Sequence, residues 1–193
     1  MRSPTPGAPM TRTTLLASAI LALGVSVACR SHPPTLNDGS TRAVAFLLDS
    51  TGREVGQVHL AEAPGTSGVT YSVQVARGAS TGQHGIHFHS VGTCDAATKF
   101  AGAGGHFNPA AKKHGLMSAD GPHAGDLEAL TIDSFGHGTF TALDSRITLT
   151  PGPNSLLDAD GSSIVLHALP DDQRTDPSGN SGARLACGVI VRI

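Results

Sequence analysis

The chain has 193 residues, a length that favours one domain with a tail. Charged residues make up 15% of it and the net charge is −2 at pH 7, so the overall charge does not favour nucleic-acid binding. Its 24 glycines and 12 prolines argue against long helices, while 39% hydrophobic residues suffice for a core and exclude disorder of the whole chain. Ten histidines and three cysteines, an odd number, are where we expect the function to lie.

The N-terminal segment, residues 1–28, has two arginines, no acidic residue and an uncharged apolar run that ends before Cys29. The run is shorter than the roughly 20 residues of a membrane span. A basic flank followed by a short apolar run instead predicts a secretory signal, which starts at Met1 or Met10. Small residues before Cys29 also resemble the processing site of bacterial lipoproteins, whose cysteine receives a lipid; an ordinary signal with an incidental cysteine is the alternative. Loss of residues 1–28 removes two arginines and changes the net charge from −2 to −4.

The remaining chain is predicted to be a flexible polar tether, 29–40, followed by one domain, 41–193. Short apolar or alternating runs separated by turn residues predict strands. These runs are 43–48, 54–60, 69–76, 83–90, 127–132, 138–143, 147–150, 163–168 and 186–191. Two segments without periodicity, 91–125 and 170–182, predict long loops, which in a compact domain are usually functional. The pattern predicts an all-β sandwich or barrel with two long functional loops.

The histidines indicate a metal site. His87 and His89 lie two residues apart in a predicted strand, so both project from one face and can converge on an ion. His106, His114, His123 and Asp126 follow on the first long loop, and three histidines with one aspartate make a plausible tetrahedral zinc set. Imidazole also suits copper. The spacing thus predicts a multi-histidine site for zinc or copper, without giving the reaction.

Five motifs resemble the copper/zinc superoxide dismutases in order and spacing. They are HGIHFH at 84–89, GHFNP at 105–109, KKHG at 112–115, HAGDL at 123–127 and GARLACGVI at 182–190. The similarity extends from about Ala43 to Ile193. It implies an eight-stranded antiparallel Greek-key β-barrel or sandwich, immunoglobulin-like, with one copper ion and one zinc ion per subunit.

The resemblance also implies a role for each matching residue. The implied copper ligands are His87, His89, His106 and His167, and the implied zinc ligands are His106, His114, His123 and Asp126. Asp171 matches a carboxylate that hydrogen-bonds ligands of both metals, and Arg184 matches the active-site arginine. Cys94 and Cys187 match a disulfide, which leaves Cys29 as the odd cysteine, and His84 matches a structural histidine that binds no metal.

The implied reaction is the disproportionation of superoxide to O₂ and hydrogen peroxide, which protects the cell envelope from oxidative damage. His106 and Arg184 are the expected catalytic residues, the first as proton carrier and the second as docking site for the anion. Arg174, Lys112 and Lys113 are further candidates for steering superoxide.

The expected location is a bacterial periplasm or cell envelope, with membrane anchoring through a lipid on Cys29. A homodimer is a possible assembly, and nucleic acid is not an expected partner. The alternative function is an exported dismutase-like protein that binds copper and zinc without turnover.

Overall fold

The computed structural model describes Met1 and residues 38–193. The predicted signal, Cys29 and most of the predicted tether therefore lie outside the described residues. Within the described residues, no helix is long and apolar enough to cross a membrane.

Short strands dominate the described part of the chain. They are β1 (Thr41–Asp49), β2 (Glu54–Glu62), β3 (Val69–Val75), β4 (Gly82–His84), β5 (Ile86–His89), β6 (Leu130–Ile132), β7 (Gly138–Asp144), β8 (Ser163–His167), β9 (Arg184–Val189) and β10 (Val191–Arg192). Two one-turn 3₁₀ helices, Ala96–Thr98 and Ala101–Ala103, lie in the first long loop.

The strands form one large antiparallel sheet and one small one, which confirms the all-β prediction. The large sheet has eight strands in the order β5-β8-β9-β1-β2-β3-β7, with β10 paired to β1; β4 and β6 form the small sheet. The predicted alternation holds in β3, where Val69, Tyr71, Val73 and Val75 are buried between more exposed neighbours. Alternation of this kind directs one face of each strand to a common core.

The predicted strand 83–90 divides into β4 and β5 at Gly85. On one side of Gly85 the chain pairs with β6 in the small sheet, and on the other it pairs with β8 in the large sheet. The Gly85 backbone donates to the Leu169 carbonyl and accepts from the His167 amide, both at 2.8 Å. Because the chain changes sheets at Gly85, β5 lies beside β8 and is close to both long loops.

The prediction of a strand over 147–150 is wrong. The amides of Leu149 and Thr150 donate to the buried carboxylate of Glu62, at 2.6 and 2.7 Å, rather than to a neighbouring strand. Only one isolated bridge, Thr148 to Ser155, remains there. Ile147 and Leu149 are nevertheless buried. The apolar pattern thus predicted their burial correctly but wrongly predicted that they pair in a strand.

The first long loop is tied to the sheet by a disulfide between Cys94 and Cys187 of β9, which confirms the expected pairing. Their Cα atoms lie 5.5 Å apart, although the residues are 93 positions apart in sequence. Phe100, Ala103 and Val165 pack around Cys187 in a small apolar cluster of their own. The loop is therefore anchored covalently and by packing.

Two leucines of the sheet provide a matched test of this core. Leu47 on β1 is fully buried, whereas Leu143 on β7 is 64% exposed. Leu47→Ala should lower the free energy of unfolding by about 2–5 kcal/mol, because it removes buried methyl groups and leaves a cavity. Leu143→Ala should change it by less than about 0.5 kcal/mol. Urea unfolding measures both, and equal losses would contradict the assignment of the core.

Candidate metal centre

Two histidines of β5 share the face of the sheet turned away from the core. Because successive strand residues point to opposite faces, Phe88 enters the core and packs edge-on against Tyr71 at 5.6 Å. His87 and His89 project to the other side, with their ring centroids 6.4 Å apart. Both are buried beneath the loops.

Neighbouring elements bring two more imidazoles to the same place. His167 ends β8, the strand next to β5, and its ring centroid lies 4.9 Å from that of His87. His106 comes from the first long loop and forms a backbone bridge with His89. We call His87, His89, His106 and His167 the four-histidine group; one ring nitrogen of each lies within 4.8 Å of the others.

A second set of ligand atoms adjoins the first and shares His106 with it. We call His106, His114, His123 and Asp126 the Asp126 group. The Nδ1 atoms of the three histidines lie 2.8, 3.0 and 3.2 Å from one oxygen, Asp126 Oδ1. The other oxygen accepts hydrogen bonds from the amides of Gly115 and His123. Three nitrogens and one carboxylate oxygen form a typical zinc donor set.

Hydrogen bonds on the outer nitrogens orient the rings of the four-histidine group. His89 Nδ1 lies 3.0 Å from the Gly104 carbonyl, and His167 Nδ1 lies 3.4 Å from the Gly182 carbonyl. Their Nε2 atoms then face each other at 3.4 Å. Such partners on the outer nitrogen fix which nitrogen is free to bind a metal.

Two buried ring nitrogens indicate that a metal fits the four-histidine group. His87 Nδ1 and His106 Nε2 are buried and have no hydrogen-bond partner among the described residues. A buried polar atom left unpaired costs about 1–3 kcal/mol, and an ion bound there removes that cost. Together with the two facing Nε2 atoms, they form a four-nitrogen set that suits copper.

Asp171 connects the two groups. Its Oδ2 lies 2.7 Å from His87 Nε2, and its Oδ1 lies 3.0 Å from His114 Nε2. The carboxylate thus fixes one ring of each group. Gly179 makes room for it: a Cβ there would overlap both Asp171 and His114, and the φ angle of +62° also favours glycine.

The electrostatics favour the metal-binding form at some ligands and oppose it at His114. Burial lowers the pKa of His106 to about 4 and that of His167 to about 3, because a charged imidazolium loses hydration. For Asp126, burial acts to raise the pKa, but hydrogen bonds with the three histidines hold it well below its ordinary value. Neutral imidazoles and an ionised carboxylate are the states that bind metal at neutral pH. For His114, burial acts to lower the pKa, but hydrogen bonds with Asp126 and Asp171 raise it to about 9, so a metal bound there must displace a proton.

A cavity of about 420 Å³ is lined by three of the four-histidine group, namely His89, His106 and His167. Arg184 also lines it and supplies a positive charge. The Arg184 guanidinium donates to the carbonyls of Phe100 and Gly104, both at 2.6 Å. None of the other steering candidates lines this cavity. Lys113 is paired with Asp176 at 3.1 Å, which offsets its charge.

Asp176 is a site residue that the sequence did not single out. Its Oδ1 accepts a hydrogen bond from the His114 amide at 2.8 Å and lies 3.8 Å from His123 Nε2. The contact joins the two long loops beside the Asp126 group. A lone aspartate in a turn-rich loop gives no signal of such a role.

Comparison with known proteins agrees with this geometry. The family model for copper/zinc superoxide dismutase (SODC) matches residues 54–190. The chain belongs to the copper/zinc superoxide dismutase family. As a member, it is an oxidoreductase that disproportionates superoxide and uses copper and zinc.

Similar proteins occur in bacteria. The chain is 40% identical over 151 residues to a superoxide dismutase [Cu-Zn] of Caulobacter vibrioides, covering 77% of this chain and 84% of the relative. It is 39% identical over 150 residues to superoxide dismutase [Cu-Zn] 2 of Aquifex aeolicus, covering 77% and 86%. A crystal structure of a SOD-like protein from Bacillus subtilis has a TM-score of 0.70 and 32% identity, covering 77% of this chain and 97% of that one.

Asp171 and its neighbour allow a test of how the rings are positioned. Asp171→Asn should weaken the binding of both metals by roughly 10–100-fold, because an NH₂ donor replaces one of the two oxygens that face His87 and His114. Asp172→Asn is the control, since that exposed carboxylate accepts hydrogen bonds from Arg174, Thr175 and Asn180 and, among the described residues, from no imidazole. Competition with chelators measures the affinities. Wild-type affinity in Asp171→Asn would show that the carboxylate does not orient the ligands.

Proposed function

We propose that the chain disproportionates superoxide at a copper/zinc site in which His106 serves both metals. One superoxide loses its extra electron and becomes O₂; a second gains one electron and two protons and becomes hydrogen peroxide. The observation that carries the proposal is the shared position of His106, whose Nδ1 belongs to the Asp126 group and whose buried Nε2 belongs to the four-histidine group.

The proposed ligand sets follow the two groups. The four-histidine group would hold copper, with His87 Nδ1 and the Nε2 atoms of His89, His106 and His167 as the available nitrogens. The Asp126 group would hold zinc, with the three Nδ1 atoms and Asp126 Oδ1 as the available ligand atoms. When bound, copper supplies a one-electron couple, and zinc, which has no redox step, supplies fixed positive charge.

His106 is the proposed proton carrier. Its Nε2 atom has no hydrogen-bond partner among the described residues, so no described group competes for a proton held there when copper is not bound to it. Its Nδ1 is held 2.8 Å from Asp126, and its ring stacks on that of His87 with centroids 3.9 Å apart. The ring therefore keeps its orientation while Nε2 changes its state.

Arg184 is the proposed docking site for the anion. Its guanidinium is half-buried and fixed by two carbonyls, and it is close enough to lower the pKa values of His89 and His167 after the larger effects of burial and neighbouring histidines. Burial lowers the pKa of Arg184 itself, yet a guanidinium stays charged at neutral pH. A fixed local charge offsets the net negative charge of the domain for an approaching anion.

The proposal includes a cellular location, the bacterial envelope. Residues 1–28 act as an export signal, 29–40 as a tether and 41–193 as the dismutase domain. A formed Cys94–Cys187 disulfide is compatible with an oxidising compartment such as a bacterial envelope. Lipid attachment at Cys29, pairing of two copies and protection of the envelope remain parts of this proposal.

The function is tested on the full chain loaded with copper and zinc. We expect one copper and one zinc per chain and cyanide-sensitive removal of superoxide. Zinc binding without copper binding and without activity would overturn the proposal, and would instead identify a dismutase-like metal-binding protein.

Replacing Arg184 tests the docking step. Arg184→Ala should retain both metals and lower kcat/KM at least roughly 10-fold, because the local field that concentrates the anion is lost. The affinity for azide, a small anion followed by the copper absorption bands, should fall in parallel. Arg174→Ala is the control, since Arg174 does not line the cavity. Unchanged turnover and azide affinity in Arg184→Ala would exclude the docking role.

A further inference from the structure

An arginine outside both ligand groups contacts the turn that carries two proposed zinc ligands. Arg146 lies two residues after the end of β7 and donates from Nη1 to the His123 carbonyl at 3.0 Å. It also donates from Nη2 to the Asp126 carbonyl at 2.7 Å. The two carbonyls mark the two ends of a short turn, which is closed by a hydrogen bond from the Asp126 amide to the His123 carbonyl.

The guanidinium is itself held in place by Asp144, the last residue of β7. Arg146 Nε and Nη2 lie 2.8 and 2.6 Å from the two oxygens of Asp144, whose side chain is only 3% exposed. This bidentate pair fixes the plane of the guanidinium. Its Nη1 and Nη2 groups then point towards the turn. The guanidinium of Arg146 thus connects the end of β7 to the turn.

The opposite side of the turn is held by backbone contacts to other elements. The Gly125 carbonyl accepts from the Phe88 amide at 3.0 Å, and the Gly125 amide donates to the Phe107 carbonyl at 2.8 Å. These contacts seat the turn against β5 and the His106 segment. Arg146 contacts the carbonyls of residues 123 and 126 from the other side, so the turn is held between β5 and the end of β7.

We propose that Arg146 is a positioning residue for zinc. By holding the carbonyls at both ends of the turn, it sets where His123 Nδ1 and Asp126 Oδ1 lie relative to His106 and His114. The inference rests on the proposed assignment of His123 and Asp126 as zinc ligands. Lysine cannot replace it, because a single ammonium group cannot bind Asp144 through a planar fork and reach both carbonyls in the same geometry.

The test compares Arg146→Lys with wild type in the full chain. The zinc dissociation constant should rise roughly 10–100-fold, as for other changes to groups that support metal ligands. Cobalt(II) placed in the zinc position should show altered visible bands, because the ligand geometry has changed. Copper affinity should stay at the wild-type value. The cobalt spectrum is the deciding measurement, since a general loss of stability would not change it.

Arg53→Lys is the matched control. Arg53 also pairs with an aspartate, since its Nε and Nη2 atoms lie 3.1 and 2.9 Å from one oxygen of Asp49, and its side chain has no other hydrogen-bond acceptor among the described residues. This variant should match wild type in zinc affinity and in the cobalt spectrum. Identical zinc affinity and cobalt bands in Arg146→Lys and wild type would overturn the inference.

Two further variants separate the possible failures. If His123→Ala binds zinc as well as wild type does, the zinc assignment itself is wrong; if it loses zinc while Arg146→Lys does not, only the role of Arg146 is wrong. Should Arg146→Lys not fold, Asp144→Asn/Arg146→Gln removes both charges together and avoids a buried unpaired carboxylate. The same weakening of zinc and the same change in the cobalt bands are expected of it.

Discussion

The geometry of this protein depends on holding one imidazole between two sets of ligand atoms. His106 must present Nδ1 to one set and Nε2 to the other, and a small rotation of the ring would break both. Its backbone is bridged to His89 on β5, its Nδ1 is fixed by Asp126, and its face is covered by His87. Burial keeps the ring neutral, and its Nε2 has no other hydrogen-bond partner among the described residues. The ring is thus restrained on every side except the one where a metal and a proton can act.

The remaining structure transmits the rigidity of the sheet to the loops that carry the ligands. The Cys94–Cys187 disulfide and the hydrogen bonds of Arg184 fix the first part of the long loop beside β9. Asp171 ties the second loop to both ligand groups, and Arg146 joins the end of β7 to the turn that follows. Loops with so few apolar residues cannot be ordered by packing alone, so charged and polar contacts to the sheet replace it. This explains why most of the supporting residues are aspartates and arginines.

The sequence predicted the parts of the fold that depend on local pattern. Alternation in β3 and the spacing of His87 and His89 fix the face of each side chain, and the structure agrees with both. The strand over 147–150 was wrong because its amides bond to Glu62, far away in sequence. Arg146 and Asp176 were missed for the same reason: each acts on backbone groups that only the fold brings near. The ligand roles came from the family resemblance, since spacing alone indicated zinc or copper and no reaction.

The central claim is that His106 contacts both metals, and a crystal structure of the copper- and zinc-loaded protein tests it most directly. Anomalous diffraction at the copper and zinc absorption edges locates each metal separately. The account predicts a copper peak beside His106 Nε2 and a zinc peak beside His106 Nδ1 in the same molecule. A single mixed site, or two metals of which one does not contact His106, would contradict it.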